Sequence, residues 1–190
     1  MNAQDALIRL TEGNRRFVED RLENVAIDRK TKNELVDGQS PFAIILSCAD
    51  SRVPPELIFN AGMGELFVVR VAGNVANTSS LASMEYAVEQ LGTQLIVVLG
   101  HQNCGAVTAA VAGGDNGPNI NHLLEHIAPA IKESSNPKAV DEVIRKNTEL
   151  TVSTISSNSG IIAEALEQGN IKIVPAYYHL DSGRVDFLNG

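Results

Sequence analysis

The sequence has no tryptophan and only three tyrosines and five phenylalanines in 190 residues. So few aromatic rings leave no stacking platform for nucleic-acid bases. It also lacks a basic run: 15 Lys+Arg stand against 23 Asp+Glu, for a formal net charge of −8. An acidic chain of this kind is a poor match for nucleic acid or an anionic membrane surface. No apolar stretch approaches the roughly 18–20 residues that span a bilayer. Met1 to Leu10 lacks the basic segment followed by an apolar run that marks a secretory signal. The expectation is a cytoplasmic protein without nucleic-acid or membrane partners. Cysteine is scarce too, with Cys48 and Cys104 alone. Two widely spaced cysteines in a reducing compartment are seldom a structural disulfide, which leaves core thiols, a redox pair or metal ligands.

What is present is enough apolar residue, 44% of the chain, for a core without disulfide staples. The length suits a single domain, read here as residues 1–190, with a helical arm over 1–37 and a core over 38–190. Residues 3–19 carry Ala6, Leu7, Leu10 and Phe17 at helical spacing, an amphipathic helix that must dock on the domain or on a second subunit. Residues 20–40 are polar and read as a short helix plus loop, with Gly38 near its end. Four apolar runs follow, within 41–47, 64–71, 95–99 and 171–178. Short runs rich in Val and Ile fit strands buried on both faces of a parallel sheet. Helical patterns separate them: 54–59, 79–91, 105–112, 119–133, 138–156 and 161–167, the last followed by Gly169 as a C-cap. Asp181-Ser-Gly-Arg184 reads as a turn into a last strand over 185–188. The expected fold is α/β: a mostly parallel central sheet flanked by helices, with a C-terminal antiparallel edge hairpin and the N-terminal helical arm.

Cys48 directly follows the first run, His101 the third, and Cys104 lies three residues further on. In open α/β sheets the carboxyl ends of the strands form the ligand crevice. If the two strands are neighbours, two thiolates and an imidazole converge there. Two thiolates neutralise Zn²⁺, and three protein ligands leave a fourth position, the mark of a catalytic site. A single buried Cys is ordinarily a small core hydrophobe, and Asp50 with Arg52 alone would be a structural ion pair. Together at strand ends they favour the metal reading. Asp50 could take the fourth metal position, or pair with Arg52 and accept a hydrogen bond from a water. Gly105 starts a helix after Cys104, and its N–H favours an anion.

Cys48-Ala-Asp-Ser-Arg-Val53 and His101-Gln-Asn-Cys-Gly-Ala-Val107 together resemble the two signature motifs of the β-class carbonic anhydrases. Gly64-Glu-Leu-Phe-Val-Val-Arg70 and Leu10-Thr-Glu-Gly-Asn-Arg-Arg-Phe17 resemble that family as well. The resemblance implies one Zn²⁺ per chain on Cys48, His101 and Cys104, and hydration of carbon dioxide to bicarbonate by metal-hydroxide attack. It implies Asp50 and Arg52 as the dyad that orients the hydroxide. It implies Gln39 as a hydrogen-bond donor to substrate and Phe67 and Tyr86 as pocket walls. The active sites would lie at the interface of a homodimer, which could assemble further into a tetramer. In the bicarbonate-regulated subtype, Trp stands where this chain has Ile45, so the constitutively open subtype is expected, with Asp50 on Arg52 rather than on the metal. Two thiolate ligands imply a less acidic water than imidazoles give, and a preference for alkaline pH. His122 and His126 are candidate proton shuttles. The alternatives are a carbon disulfide or carbonyl sulfide hydrolase on the same scaffold, or a non-catalytic zinc or thiol-redox protein. A nucleotide-binding module is a distant third, because the Gly-rich fingerprint is missing.

Overall fold

A computed structural model describes residues 1–23 and 27–188. Helix α1 (Ala3–Val18) opens the chain, with Asn2 capping it by accepting from the Asp5 N–H at 2.8 Å. Helix α2 (Arg29–Glu34) is the expected short helix of the polar stretch, of which residues 24–26 lie outside the described residues. Then come β1 (Ala43–Ser47), α3 (Pro55–Ile58), β2 (Leu66–Arg70), α4 (Thr78–Glu89) and β3 (Leu95–His101). Helices α5 (Gly105–Ala112), α6 (Pro118–Glu125), α7 (Ala128–Glu133), α8 (Val140–Asn158) and α9 (Gly160–Glu167) follow, then β4 (Lys172–Tyr178) and β5 (Val185–Phe187).

Among the described residues the strands form one sheet in the order β2-β1-β3-β4-β5. The first four are parallel, and β5 pairs antiparallel with β4 as the expected edge. Strands β1 and β3 are wholly buried, because helices cover both faces. Their side chains alternate between two cores, as the period of two requires. Ala43, Ile45, Leu95, Val97 and Leu99 pack with Ala6 and Leu10 of α1 and Ile58 of α3. Ile44, Leu46, Ile96 and Val98 pack with Leu81 and Met84 of α4, Ile155 of α8 and Ile162 of α9.

Two expectations need correction. The 64–71 run does not form a strand buried on both faces: β2 is an edge strand, only Leu66 in it is buried, and Arg70 is exposed. The pattern over 119–133 is two helices, because Pro129 enters the first turn of α7 and cannot supply the N–H that a continuous helix needs.

The N-terminal helix docks on its own domain. Gly13 is buried in α1, and a Cβ there would stand 1.9 Å from the Phe59 carbonyl oxygen, so only glycine allows this approach. At the next residue, the Asn14 Nδ2 donates to the carbonyls of Ile58 (3.2 Å) and Gly183 (2.8 Å), and its Oδ1 accepts from the Val185 N–H (2.9 Å). A single amide thus joins α1, α3 and the C-terminal hairpin. None of the described helices is long and apolar enough to cross a membrane.

Candidate metal centre

The chain runs from β1 out to β2 on one side and returns across β1 to place β3 on the other. That reversal opens a crevice at the carboxyl ends of β1 and β3. Cys48 is the residue after β1, and His101 is the last residue of β3 itself rather than the one after it. Cys104 is the N-cap of α5, with Gly105 as its first, exposed residue. A tight turn carries the chain from β3 into α5, with Asn103 at φ +54°, a left-handed conformation that Asn tolerates.

The three candidate ligands are buried, and their donor atoms all lie within 4.8 Å of one another. The two Sγ atoms are 4.0 Å apart. A tetrahedral zinc with Zn–S near 2.3 Å would hold two sulfurs about 3.8 Å apart, so the pair fits this metal. The His101 Nδ1 lies 2.9 Å from the Gln102 carbonyl, to which it donates. That fixes the tautomer and leaves Nε2 as a lone pair, and Nε2 is buried without a hydrogen-bond partner. A buried, unpartnered acceptor beside two thiols is the chemistry of a vacant valence for a soft or borderline cation.

The surroundings favour thiolate. The Gly73 N–H donates to the Cys48 Sγ at 3.3 Å. Contact with Cys104 pulls the Cys48 thiol well below its ordinary value, against the effect of burial. The same contact, with burial, pushes Cys104 up, because one proton serves both sulfurs. A divalent metal replaces that shared proton and takes both as thiolates. Cys48 and Cys104 belong to one buried apolar cluster with Val75, Val107, Leu124, Ile127, Val143 and Ile144.

Asp50 lies beside the candidate ligands but is paired with Arg52. Arg52 grips it in a fork, Nε to Oδ1 at 2.9 Å and Nη2 to Oδ2 at 2.7 Å, and the Arg52 N–H also donates to Oδ1 at 2.9 Å. The Arg52 side chain, more than any other group, holds the Asp50 carboxyl down at about 2. Its Oδ2 stands 3.9 Å from the His101 Nε2. Arg52 reaches on to the Asn103 carbonyl at 3.4 Å, tying together the two loops that carry the ligands.

The other anticipated site residues lie elsewhere on the single chain. Gln39 is exposed in the loop before β1. Phe67 is half-buried on β2, and Tyr86 is 52% exposed on α4. Their rings are 6.5 Å apart at the centroids, and Phe67 belongs to the α4-side core rather than to the cluster around the sulfurs. His122 and His126 form an edge-to-face pair, with His122 near Glu125. Sequence reasoning missed Gly73 and Arg70. Gly73-Asn74 after a strand is a turn signal that could have pointed to the first.

A family model for carbonic anhydrase matches residues 43–185. The chain belongs to that family. Carbonic anhydrase 2 of Mycobacterium tuberculosis is 40% identical over 181 residues, covering 92% of this chain and 87% of the relative. The carbonic anhydrase of Mycolicibacterium smegmatis is 38% identical, covering 93% and 89%. The Coccomyxa β-carbonic anhydrase, solved with acetazolamide, superposes with a TM-score of 0.76 at 27% identity, over 96% of this chain and 86% of that one. A chain from the two tetrameric β-carbonic anhydrases of Sordaria macrospora gives 0.75 at 25% identity, over 84% and 86%. This carbonic anhydrase is of the β class and has its α/β fold. It is a zinc lyase that hydrates carbon dioxide reversibly to bicarbonate and a proton.

Proposed function

We propose that Cys48, His101 and Cys104 hold the zinc of this carbonic anhydrase and that Asp50 and Arg52 are the dyad that directs the reaction. The observation that carries this reading is the forked Asp50–Arg52 pair beside the unpartnered His101 Nε2. Zinc, when bound, lowers the pKa of a coordinated water towards neutrality and so supplies the nucleophile. The rest falls to the chain's own groups. Cys48 and Cys104 bring two negative charges that balance the cation, and His101 is held in register by the Gln102 carbonyl. Asp50, ionised and acceptor-only, takes a hydrogen bond from a water at the site and turns its lone pair towards the carbon of carbon dioxide. Arg52 keeps Asp50 in that orientation and off the metal, in line with Ile45 standing where the regulated subtype has Trp. The exposed Gly105 N–H faces the product as an anion.

Gln39, Phe67 and Tyr86 serve the pocket of a second copy. The exposure of Gln39 and Tyr86, and the packing of Phe67 on the α4-side core rather than around the sulfurs, support a homo-oligomer with active sites shared between subunits. The Sordaria relatives are tetrameric, and this chain assembles at least as a homodimer in this reading. Residues 1–190 act as one domain, with α1 tied to the core through Asn14. Its two free thiols suit a reducing compartment, the cytoplasm. Stopped-flow carbon dioxide hydration on Asp50→Ala protein assayed for zinc tests the dyad. Retained zinc with most turnover lost is the expected result, and full activity would dismiss the role given to Asp50.

A further inference from the structure

Arg70 ends the edge strand β2, in register with Ser47 at the end of β1. Among the described residues it forms no ion pair with a carboxylate. Instead its Nε donates to the Cys48 carbonyl at 3.0 Å and its Nη2 donates to the Asp50 carbonyl. Both acceptors lie in the loop that carries a zinc ligand and the candidate dyad. Cys48 O belongs to the peptide between residues 48 and 49, and Asp50 O to the peptide between 50 and 51. The guanidinium is planar and rigid, so its two donors fix the two peptide planes relative to each other. Ala49 and Asp50 lie between the clamped planes, so the clamp restricts the direction of the Asp50 Cα–Cβ bond.

The turn has internal bonds as well. The Val53 N–H donates to the Asp50 carbonyl at 3.0 Å, and the Arg52 N–H donates to the Asp50 Oδ1 at 2.9 Å. These bonds shape the turn but do not anchor it to the sheet. The Val71 N–H donates to the Ser47 carbonyl at 3.0 Å, which is where the ladder between β1 and β2 gives out. Beyond that point Arg70 carries the strand's hold onto the loop by side chain.

We propose that Arg70 is a positioning residue for the hydration reaction: its forked contact to the carbonyls of Cys48 and Asp50 aims the Asp50 carboxylate. This rests on the dyad reading above. It assigns a task to a guanidinium that touches neither the metal ligands' donor atoms nor the carboxylate itself. Arginine is required because one planar group must serve two carbonyls at once, which an ammonium on a flexible stem does not do.

The test uses the zinc-loaded oligomer with Arg70→Ala and Arg70→Lys, alone and combined with Asp50→Ala. Zinc per chain should stay at the wild-type value in each. Arg70→Ala should lower kcat about tenfold, worth about 1.4 kcal/mol, with KM little changed. Arg70→Lys should recover part of that loss. On the Asp50→Ala background, Arg70→Ala should cost nothing further, because the residue acts through Asp50. Amide hydrogen exchange at Arg52 and Val53 should quicken at least tenfold in Arg70→Ala. A second tenfold loss in the double variant, or wild-type kcat and exchange in Arg70→Ala, would overturn the proposal. Where the alanine variant fails to fold, Arg70→Lys with wild-type exchange and kcat overturns it equally. A fully active Asp50→Ala protein would instead dismiss the dyad, and the exchange rates would then decide for or against the brace by themselves.

Discussion

The sulfurs of Cys48 and Cys104 stand 4.0 Å apart across 56 residues of sequence, and they belong to the chain's only two cysteines. Replacing either by Ala leaves two donors for a metal that requires at least three protein ligands in such sites. Atomic absorption should find almost no zinc in Cys48→Ala or Cys104→Ala protein, and hydration should vanish with it. Normal zinc in either variant would refute the ligand set.

Asp50 is held well below the ordinary carboxyl value, at about 2, chiefly by the Arg52 side chain. The unfolded chain would titrate it near 4, so over that interval the unfolded state binds more protons. The pair's contribution to stability is therefore present above about pH 4 and is lost as pH falls towards 2. In metal-stripped protein, the gap in Tm between wild type and Asp50→Asn should hold steady from pH 7 to 5 and shrink below 4. A constant gap down to pH 2 would show that the fork does not set this carboxyl.

Two of the three tyrosines resist ionisation for reasons of place. Tyr177 is pushed up by burial and by Asp141, to which its hydroxyl donates, while Arg145 lies 3.8 Å over its ring. Burial alone pushes Tyr178 up. Above about pH 10 the folded state keeps protons that the unfolded chain releases, so stability falls as pH rises there. Absorbance at 295 nm should show these two phenols ionising only together with unfolding. Smooth titration of Tyr177 and Tyr178 near pH 10 in folded protein would contradict the burial.

Gly13→Ala should be among the most damaging single-methyl changes. The added carbon would sit 1.9 Å from a backbone oxygen of Phe59, where no side chain can yield. Overpacking against main chain costs about 3 kcal/mol at the upper end of the usual range, and α1 would have to lift. Urea unfolding should reveal the loss, and Asn14 should lose its contacts to the hairpin. An unchanged midpoint would mean that α1 is not seated as described.

The cluster of Cys48, His101 and Cys104 was readable because the first two stand at the ends of strands whose unbroken Val, Ile and Leu runs declare burial on both faces, and Cys104 follows three residues later. Strand order was not readable from those runs, and order decides which residues meet. Phe67 and Val69 look like core in the sequence, yet β2 lies at an edge. Arg70 gave no signal for the same reason: its contacts depend on β2 lying beside β1, a fact of topology rather than of pattern. The break between α6 and α7 was missed, although Pro129 offered a signal for it within the helical spacing of 119–133. Under the proposed reading, Gln39, Phe67 and Tyr86 belong to a pocket that a second copy completes, which the pattern of a single chain does not display.

The reversal of direction between β2 and β3 also sets an order of events. Before the sulfur of residue 48 can meet the imidazole of residue 101, the chain must lay one strand outside β1 and return through α4 to lay another on its opposite side. Parallel pairing of that kind is non-local and slow to form. The candidate ligands are thus brought together by the completed sheet, and in the site proposed above no local segment of the chain holds all three donors on its own.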